Sequence, residues 1–232
     1  HGKNNVFNKI INKFLFFFGL RISRISERIP RGFMRKYKKD LAWVKEHSDI
    51  RVIPDFRCRI GEHPKRSGEI QCEFASQWLS TLLIEAKILD IGSYREFLVG
   101  LMANRRITTL DIRKRVAALN EEAVVGDAKK LPFPDNEFDA VVSLCTLEHL
   151  GLGAYGDEID LEADKKALNE MKRVLKPHGL LIFSTQMSKK PYIAFNAGKN
   201  YSYEMIQEFC SDITLLDEEL LYEGLYLGCW KK

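Results

Sequence analysis

The chain has 232 residues, 45% apolar and 29% charged, the composition of an ordinary globular protein with length enough for one large core and an extension. Its net charge of +4 is unevenly placed: residues 1–60 hold 15 Lys and Arg against 5 Asp and Glu, giving +10, and the rest hold 21 against 27, giving −6. The five cysteines, Cys58, Cys72, Cys145, Cys210 and Cys229, show no CxxC spacing, and the five histidines no metal-ligand pattern. This argues for reduced thiols in a cytoplasmic compartment and against a disulfide frame or a metal site.

Val6, Ile10, Phe14, Phe17, Phe18, Ile22 and Ile25 fall at helical spacing with Lys9, Lys13, Arg21, Arg24 and Arg28 between them, which predicts a basic amphipathic helix. Its apolar run, Phe14 to Leu20, is far shorter than the roughly 20 residues a membrane span needs, and no small-residue cleavage site follows. Such a helix either lies on an anionic membrane surface as a peripheral contact or packs on the rest of the protein. Residues 31–68 read as a short helix followed by loops. The cluster Arg35-Lys36-Tyr37-Lys38-Lys39 beside Trp43 has the charge for nucleic acid, but no nucleic-acid motif accompanies it, which disfavours that partner. Ile70 to Ala86 reads as an amphipathic helix with Ile70, Phe74, Trp78 and Leu82 on one face.

The chain then alternates short apolar strands with turns and helices. Lys87-Ile88-Leu89-Asp90-Ile91-Gly92-Ser93-Tyr94-Arg95 reads as a buried strand, an acid at its end and a glycine turn into a helix over Glu96–Asn104. Thr108-Thr109-Leu110-Asp111 is a second strand, ending in an acid at the distance where a carboxylate can take a ribose diol. A third strand, Ala123 to Val125, runs into Gly126-Asp127-Ala128, and a fourth spans Ala140 to Leu144. Thr146 to Asp157 carries Glu148, His149, Tyr155 and glycines at 151, 153 and 156, which suit a flexible loop able to cover a site. A helix over Leu161–Leu175, ended by Pro177 and Gly179, leads to a fifth strand, Leu180 to Phe183. Beyond Phe195-Asn196-Ala197 come a helix, Tyr203 to Cys210, and two β-rich segments, Ile213 to Leu221 and Leu225 to Trp230. The aliphatic run Leu215 to Leu221 also allows a helix.

Taken together, these segments resemble the class I S-adenosylmethionine-dependent methyltransferases over residues 85–232. The resemblance implies an α/β, Rossmann-like fold: a mostly parallel seven-stranded sheet of order 3-2-1-4-5-7-6 with helices on both faces. Residues 1–69 would form the basic helical extension and 70–232 the methyltransferase domain.

It also implies S-adenosyl-L-methionine as cofactor, with Asp90 and Gly92 by its methionine part, Asp111 on the ribose hydroxyls and Asp127 facing the adenine amino group. Ile112 and Ala128 lie beside these. The loop departs from the family pattern in carrying Ser93, Tyr94 and Arg95 where further glycines are usual; Arg95 either pairs with the cofactor carboxylate or is a solvated arginine.

In this family the fourth strand ends beside the transferred methyl, which puts Glu148 and His149 near the chemistry. His149 would be the base, or a packing residue, and Glu148 its positioning group. The segment further resembles a branch found among polysaccharide-biosynthesis genes. That implies a small-molecule or glycan-precursor hydroxyl as acceptor, faced by Tyr155, Asp157 and Asn196. A nicotinamide dehydrogenase is disfavoured by the lack of GxGxxG after the first strand; a non-catalytic binding module of the same fold stays open.

Overall fold

The computed structural model describes residues 32–54, 66–221 and 224–232. The chain divides into two compact units, His1–Pro64 and Lys65–Lys232, the division falling five residues before the expected boundary. In the first, helix α1 (Phe33–His47) buries none of its residues. Its last turn is closed by the stacked rings of Trp43 and His47, 4.4 Å apart, and by a hydrogen bond between His47 Nδ1 and the Trp43 carbonyl at 2.9 Å. The basic helix expected between residues 5 and 28 lies outside the described residues.

The second unit opens with α2 (Ser67–Leu79). It starts earlier than the expected Ile70 because Glu69 reaches back to accept from the Arg66 backbone N–H at 2.8 Å, satisfying a donor that the helix leaves open. It stops at Leu79 instead of Ala86: Ser80 Oγ donates to the Gln77 carbonyl at 2.6 Å and Thr81 Oγ1 to that of Trp78 at 2.7 Å, competing with further helical bonding. The buried face is Gln71, Phe74, Ala75 and Leu79; of the expected stripe Ile70, Phe74, Trp78 and Leu82, Phe74 is buried and the other three are partly so. Gln71 goes inside because Ser184 Oγ donates to its carbonyl at 2.5 Å.

From here strands and helices alternate: β1 (Ile88–Ile91), α3 (Arg95–Leu101), β2 (Ile107–Asp111), β3 (Glu121–Val125), β4 (Phe138–Leu144), a tight turn at Leu147–His149, α4 (Ala163–Val174) and β5 (Leu175–Gln186). Then come β6 (Tyr192–Ala194), β7 (Gly198–Asn200), α5 (Tyr203–Phe209), β8 (Thr214–Leu221) and β9 (Leu225–Lys231). The main sheet has seven strands in the order β3-β2-β1-β4-β5-β9-β8. The separate β6–β7 hairpin shifts the numbering; without it the order is the expected 3-2-1-4-5-7-6. The strands β3 to β5 pair in parallel, and β9 and β8 close the edge antiparallel. Leu215 to Leu221 is therefore strand, paired along β9.

Alternation along each strand fills two layers. Leu89, Ile91, Val141, Leu181 and Phe183 pack on one face with Ala167, Leu168, Met171 and Val174 of α4. Ile88, Ala140, Val142 and Ile182 pack on the other with Phe74, Ala75 and Leu79 of α2 and Leu98 of α3. With β1 held between β2 and β4, Asp90 pairs in register with Thr109 on one side and Val142 on the other. The carboxyl ends of three central strands thus reach a common edge.

Candidate functional site

At that edge lies a cavity of about 680 Å³ including its open mouth, lined by the ends of β1, β2 and β4 and the loops that follow them. Its floor is the turn after β1. Gly92 has φ +72, and a Cβ there would stand 2.7 Å from Thr146 Oγ1 and 2.8 Å from its Cγ2, so glycine is demanded by conformation and by space. Thr146 Oγ1 in turn donates to the Ile91 carbonyl at 3.1 Å, stitching the β1 and β4 loops together. Ser93, which stands where the family pattern has another glycine, is buried, and its hydroxyl accepts from the Leu144 N–H at 3.0 Å. Its own N–H donates to Asp90 Oδ1 at 3.2 Å.

Asp90 is fully buried and its Oδ2 has no hydrogen-bond partner in the protein. Burial pushes its carboxyl up to about 7, against the opposing Ser93 hydrogen bonds and the Arg115 charge. Asp90 thus sits just behind the cavity wall with an open valence.

On the next strand, Asp111 lines the cavity. Its Oδ1 accepts from the Arg113 N–H at 2.9 Å and from Arg113 Nε at 3.1 Å; its Oδ2 accepts from Arg113 Nη2 at 3.2 Å and Arg115 Nη2 at 3.1 Å. Burial alone would raise the Asp111 pKa, but these arginine contacts outweigh it and hold the carboxylate below its usual range. Arg113 also lies over the Tyr155 ring, 4.9 Å from its centroid. A diol arriving at Asp111 must compete with that guanidinium. After β3, Asp127 accepts from the Lys129 N–H at 2.8 Å, and Ile112 and Ala128 supply apolar wall.

β4 is followed by Cys145, held at φ +50 by two bonds to Ser184: its N–H reaches the carbonyl at 3.1 Å and Oγ at 3.0 Å. Burial pushes the Cys145 thiol up to about 12, so it stays a neutral thiol. His149 lines the cavity, and its Nδ1 is hydrogen-bonded to the Ala197 carbonyl. A carbonyl only accepts, so Nδ1 carries a proton, and in the neutral ring the lone pair lies on Nε2. The Tyr155 ring meets the imidazole edge-on, centroids 6.0 Å apart.

The loop after His149 is built, not loose. Gly151, Gly153 and Gly156 all have positive φ, and a Cβ on Gly151 would fall 2.0 Å from the Asp160 carbonyl. Asp157 holds the loop, accepting from the Gly151 N–H at 2.8 Å and the Tyr155 N–H at 3.2 Å. Burial acts to raise its pKa, but those backbone donors win and hold it below the usual range.

The cavity therefore brings together Gly92, Asp111, Ile112, Asp127, Ala128, His149, Tyr155 and Asp157 of the expected residues. Of the other four, Asp90 lies behind the wall, outside the lining, and three are placed elsewhere. Arg95 is turned to Glu121, with Nη2 donating at 2.6 Å, and to the Val116 carbonyl at 3.3 Å; it does not line the cavity. Glu148 is buried, its Oε2 accepting from Thr185 Oγ1 at 3.2 Å, and desolvation raises its pKa. The imidazole is oriented by the Ala197 carbonyl, the task expected of Glu148. Asn196 is exposed in the β6–β7 turn at φ +61, a conformation asparagine tolerates, outside the cavity lining. Arg113 and Thr146 were missed. A basic residue two positions after a strand-end acid is the signal for the first; nothing in the sequence marks the second.

Residues 89–183 match the family described as a methyltransferase domain. A methyltransferase of Encephalitozoon cuniculi is 30% identical over 151 residues, 62% of this chain and 68% of that protein. The ubiquinone/menaquinone biosynthesis C-methyltransferase UbiE of Pseudomonas putida is 40% identical over 86 residues, 36% of this chain and only 29% of its own length. Among solved structures, Burkholderia thailandensis 1,6-didemethyltoxoflavin-N1-methyltransferase, with its substrate and S-adenosylhomocysteine bound, superposes with TM-score 0.57 at 14% identity, over 87% of this chain and 85% of that one.

The residues present fit S-adenosylmethionine. Gly92 brings bare backbone to the cavity wall, Asp111 presents an ionised carboxylate for hydroxyls, and Asp127 lines the cavity from the loop after β3. Asp90 keeps an unpartnered buried oxygen behind them.

Proposed function

Because the chain belongs to the S-adenosylmethionine-dependent methyltransferases, we propose that its acceptor is a hydroxyl on a small molecule or glycan precursor, and that His149 is the base. One observation carries this reading: the Ala197 carbonyl accepts a hydrogen bond from Nδ1–H of His149, so in the neutral ring Nε2 is the proton acceptor, on a residue that lines the cavity.

When bound, S-adenosylmethionine supplies a methyl group on a sulfonium centre. The chain's own residues do the rest. Gly92, Asp111, Ile112, Asp127 and Ala128 hold and orient the cofactor. Tyr155 walls the cavity beside His149 and aligns the acceptor. Nε2 of His149 accepts the acceptor's hydroxyl proton, so that the oxygen gains nucleophilic character without leaving a charged alcohol behind. Protonated, the imidazole is stabilised by the Ala197 carbonyl, which accepts from Nδ1 in either state.

The test is turnover with methyl-labelled S-adenosylmethionine and a panel of sugar and small-molecule alcohols, on the parent and on His149→Ala. The variant should lose roughly 10²–10⁴-fold in kcat, the usual contribution of a positioned base, with S-adenosylhomocysteine affinity unchanged. Near-parental turnover would reduce His149 to packing. Failure of the parent to methylate any hydroxyl, with cofactor bound, would favour the same fold working as a binding module.

A further inference from the structure

The β6–β7 hairpin carries an outer surface that nothing in the methyl-transfer reading uses. Its second strand, β7, is firmly tied down. Lys199, buried, forms an ion pair with buried Asp164 at 2.9 Å and donates to the Leu161 carbonyl at 2.8 Å. Gly198 is packed against Glu148 and His149, where a Cβ would be 3.6 Å from Glu148 Cγ. Strand β6 and the turn after it are the opposite: Phe195 in the turn is 71% exposed, and Tyr192 and Ile193 on β6 are 55% and 49% exposed. Large apolar side chains on a two-stranded ribbon face water at a cost.

The chain segment that carries them bears charge of one sign. Lys189 and Lys190 are exposed at the start of the hairpin, and no Asp or Glu occurs from Met171 to Tyr203. The loop after β2 repeats the pattern. Val116 is 91% exposed and Leu119 84%, next to exposed Lys114, and no acid occurs between Asp111 and Glu121. The hairpin follows the carboxyl end of β5 and this loop that of β2, and both strands belong to the parallel part of the sheet. They therefore lie on the same edge as the cavity.

We propose that the β6–β7 hairpin docks on an anionic lipid bilayer, inserting Phe195, Ile193 and Tyr192 at the headgroup level while Lys189 and Lys190 meet the lipid phosphates. Aromatic side chains flanked by lysines are what an interfacial membrane contact needs: apolar area for the acyl boundary, an amphipathic phenol at the headgroups and cations for the surface potential. An acidic protein surface would take the lysines but leave the three apolar side chains without a matching partner. Because the Ala197 carbonyl holds His149, docking sets the cavity mouth at the lipid surface, where a lipid-borne acceptor would be presented.

The experiment is flotation of the full chain with phosphatidylcholine vesicles and with phosphatidylcholine–phosphatidylglycerol vesicles, at low and high salt. The parent should float with the anionic vesicles only, and less at high salt. Tyr192→Ser with Phe195→Ser, and separately Lys189→Glu with Lys190→Glu, should each weaken binding by about tenfold or more, the factor carried by one buried aromatic side chain. S-adenosylhomocysteine affinity by calorimetry should stay parental in both, which shows the fold intact and reads independently of whether His149 is the base. Arg21→Glu with Arg24→Glu separates this contact from one made by the basic N-terminal segment. No flotation of the parent overturns the proposal, as does a loss confined to the Arg21/Arg24 variant. Dimerisation in sedimentation velocity that disappears with Phe195→Ser and needs no lipid also overturns it, assigning the face to a second copy of the chain.

Discussion

Asp90 gives the most demanding prediction, because its burial has a calculable consequence for stability. Its carboxyl ordinarily titrates at 3.8 and is pushed to about 7 in the fold, chiefly by burial. Between those values the folded state holds a proton that the unfolded chain releases, so the folded state binds more protons and stability falls as pH rises. A rise of about 3 units at 1.36 kcal/mol each corresponds to about 4 kcal/mol in total, of which about 3 kcal/mol falls between pH 5 and pH 8. Asp90→Asn cannot ionise, and its amide oxygen can still accept from the Ser93 N–H that Oδ1 takes at 3.2 Å. Urea unfolding of the cofactor-free parent and variant should therefore diverge with pH. The variant should gain about 3 kcal/mol on the parent from pH 5 to pH 8, whatever the offset at pH 5. A difference that stays flat across that range would show that Asp90 is not held protonated by burial, and the account of its open valence would fall with it.

Gly92→Ala meets both a left-handed backbone and the Thr146 side chain 2.7 Å away; unfolding should show a loss of about 2–4 kcal/mol. Adding Thr146→Ala should recover the steric part and leave about 1 kcal/mol, whereas no recovery would mean the contact is not the cause. Lys199→Met leaves Asp164 buried with only Tyr201 Oη donating to it, at 2.8 Å, and should cost about 3 kcal/mol in chemical denaturation. A loss under about 0.5 kcal/mol would mean the ion pair does not tie the hairpin down.

The sheet was legible because its strands are short, apolar and β-branched and end in an acid or a glycine, so Asp90, Gly92 and Asp111 pointed to the sheet edge where the cavity opens, and the family resemblance added Asp127. What escaped was decided by side chains meeting across the chain. The α2 stripe shifted because buried Gln71 finds Ser184, more than a hundred positions away, and a polar residue at a core position is invisible to hydrophobic periodicity. Arg95 looked like a cofactor ligand by position but is claimed by Glu121, whose carboxyl is held down at about 2 by that arginine, the Ala118 N–H and Thr109 against its own burial. Glu148 and His149 are adjacent, yet the turn sends one into the core and the other to the cavity. The β6 and β7 strands have three residues each, too few for alternation to declare them, so the carbonyl that orients His149 had no sequence signal.

The account stands most directly on a calorimetric titration of S-adenosylhomocysteine into the full chain and into Asp111→Ala. The parent should bind one ligand per chain. The variant should bind more weakly by about 1–3 kcal/mol, the loss of a charged acceptor for the ribose hydroxyls, offset in part by release of the Arg113 contact. Equal affinity in parent and variant would remove Asp111 from the site, and no binding in the parent would contradict the placement of the cofactor in this cavity.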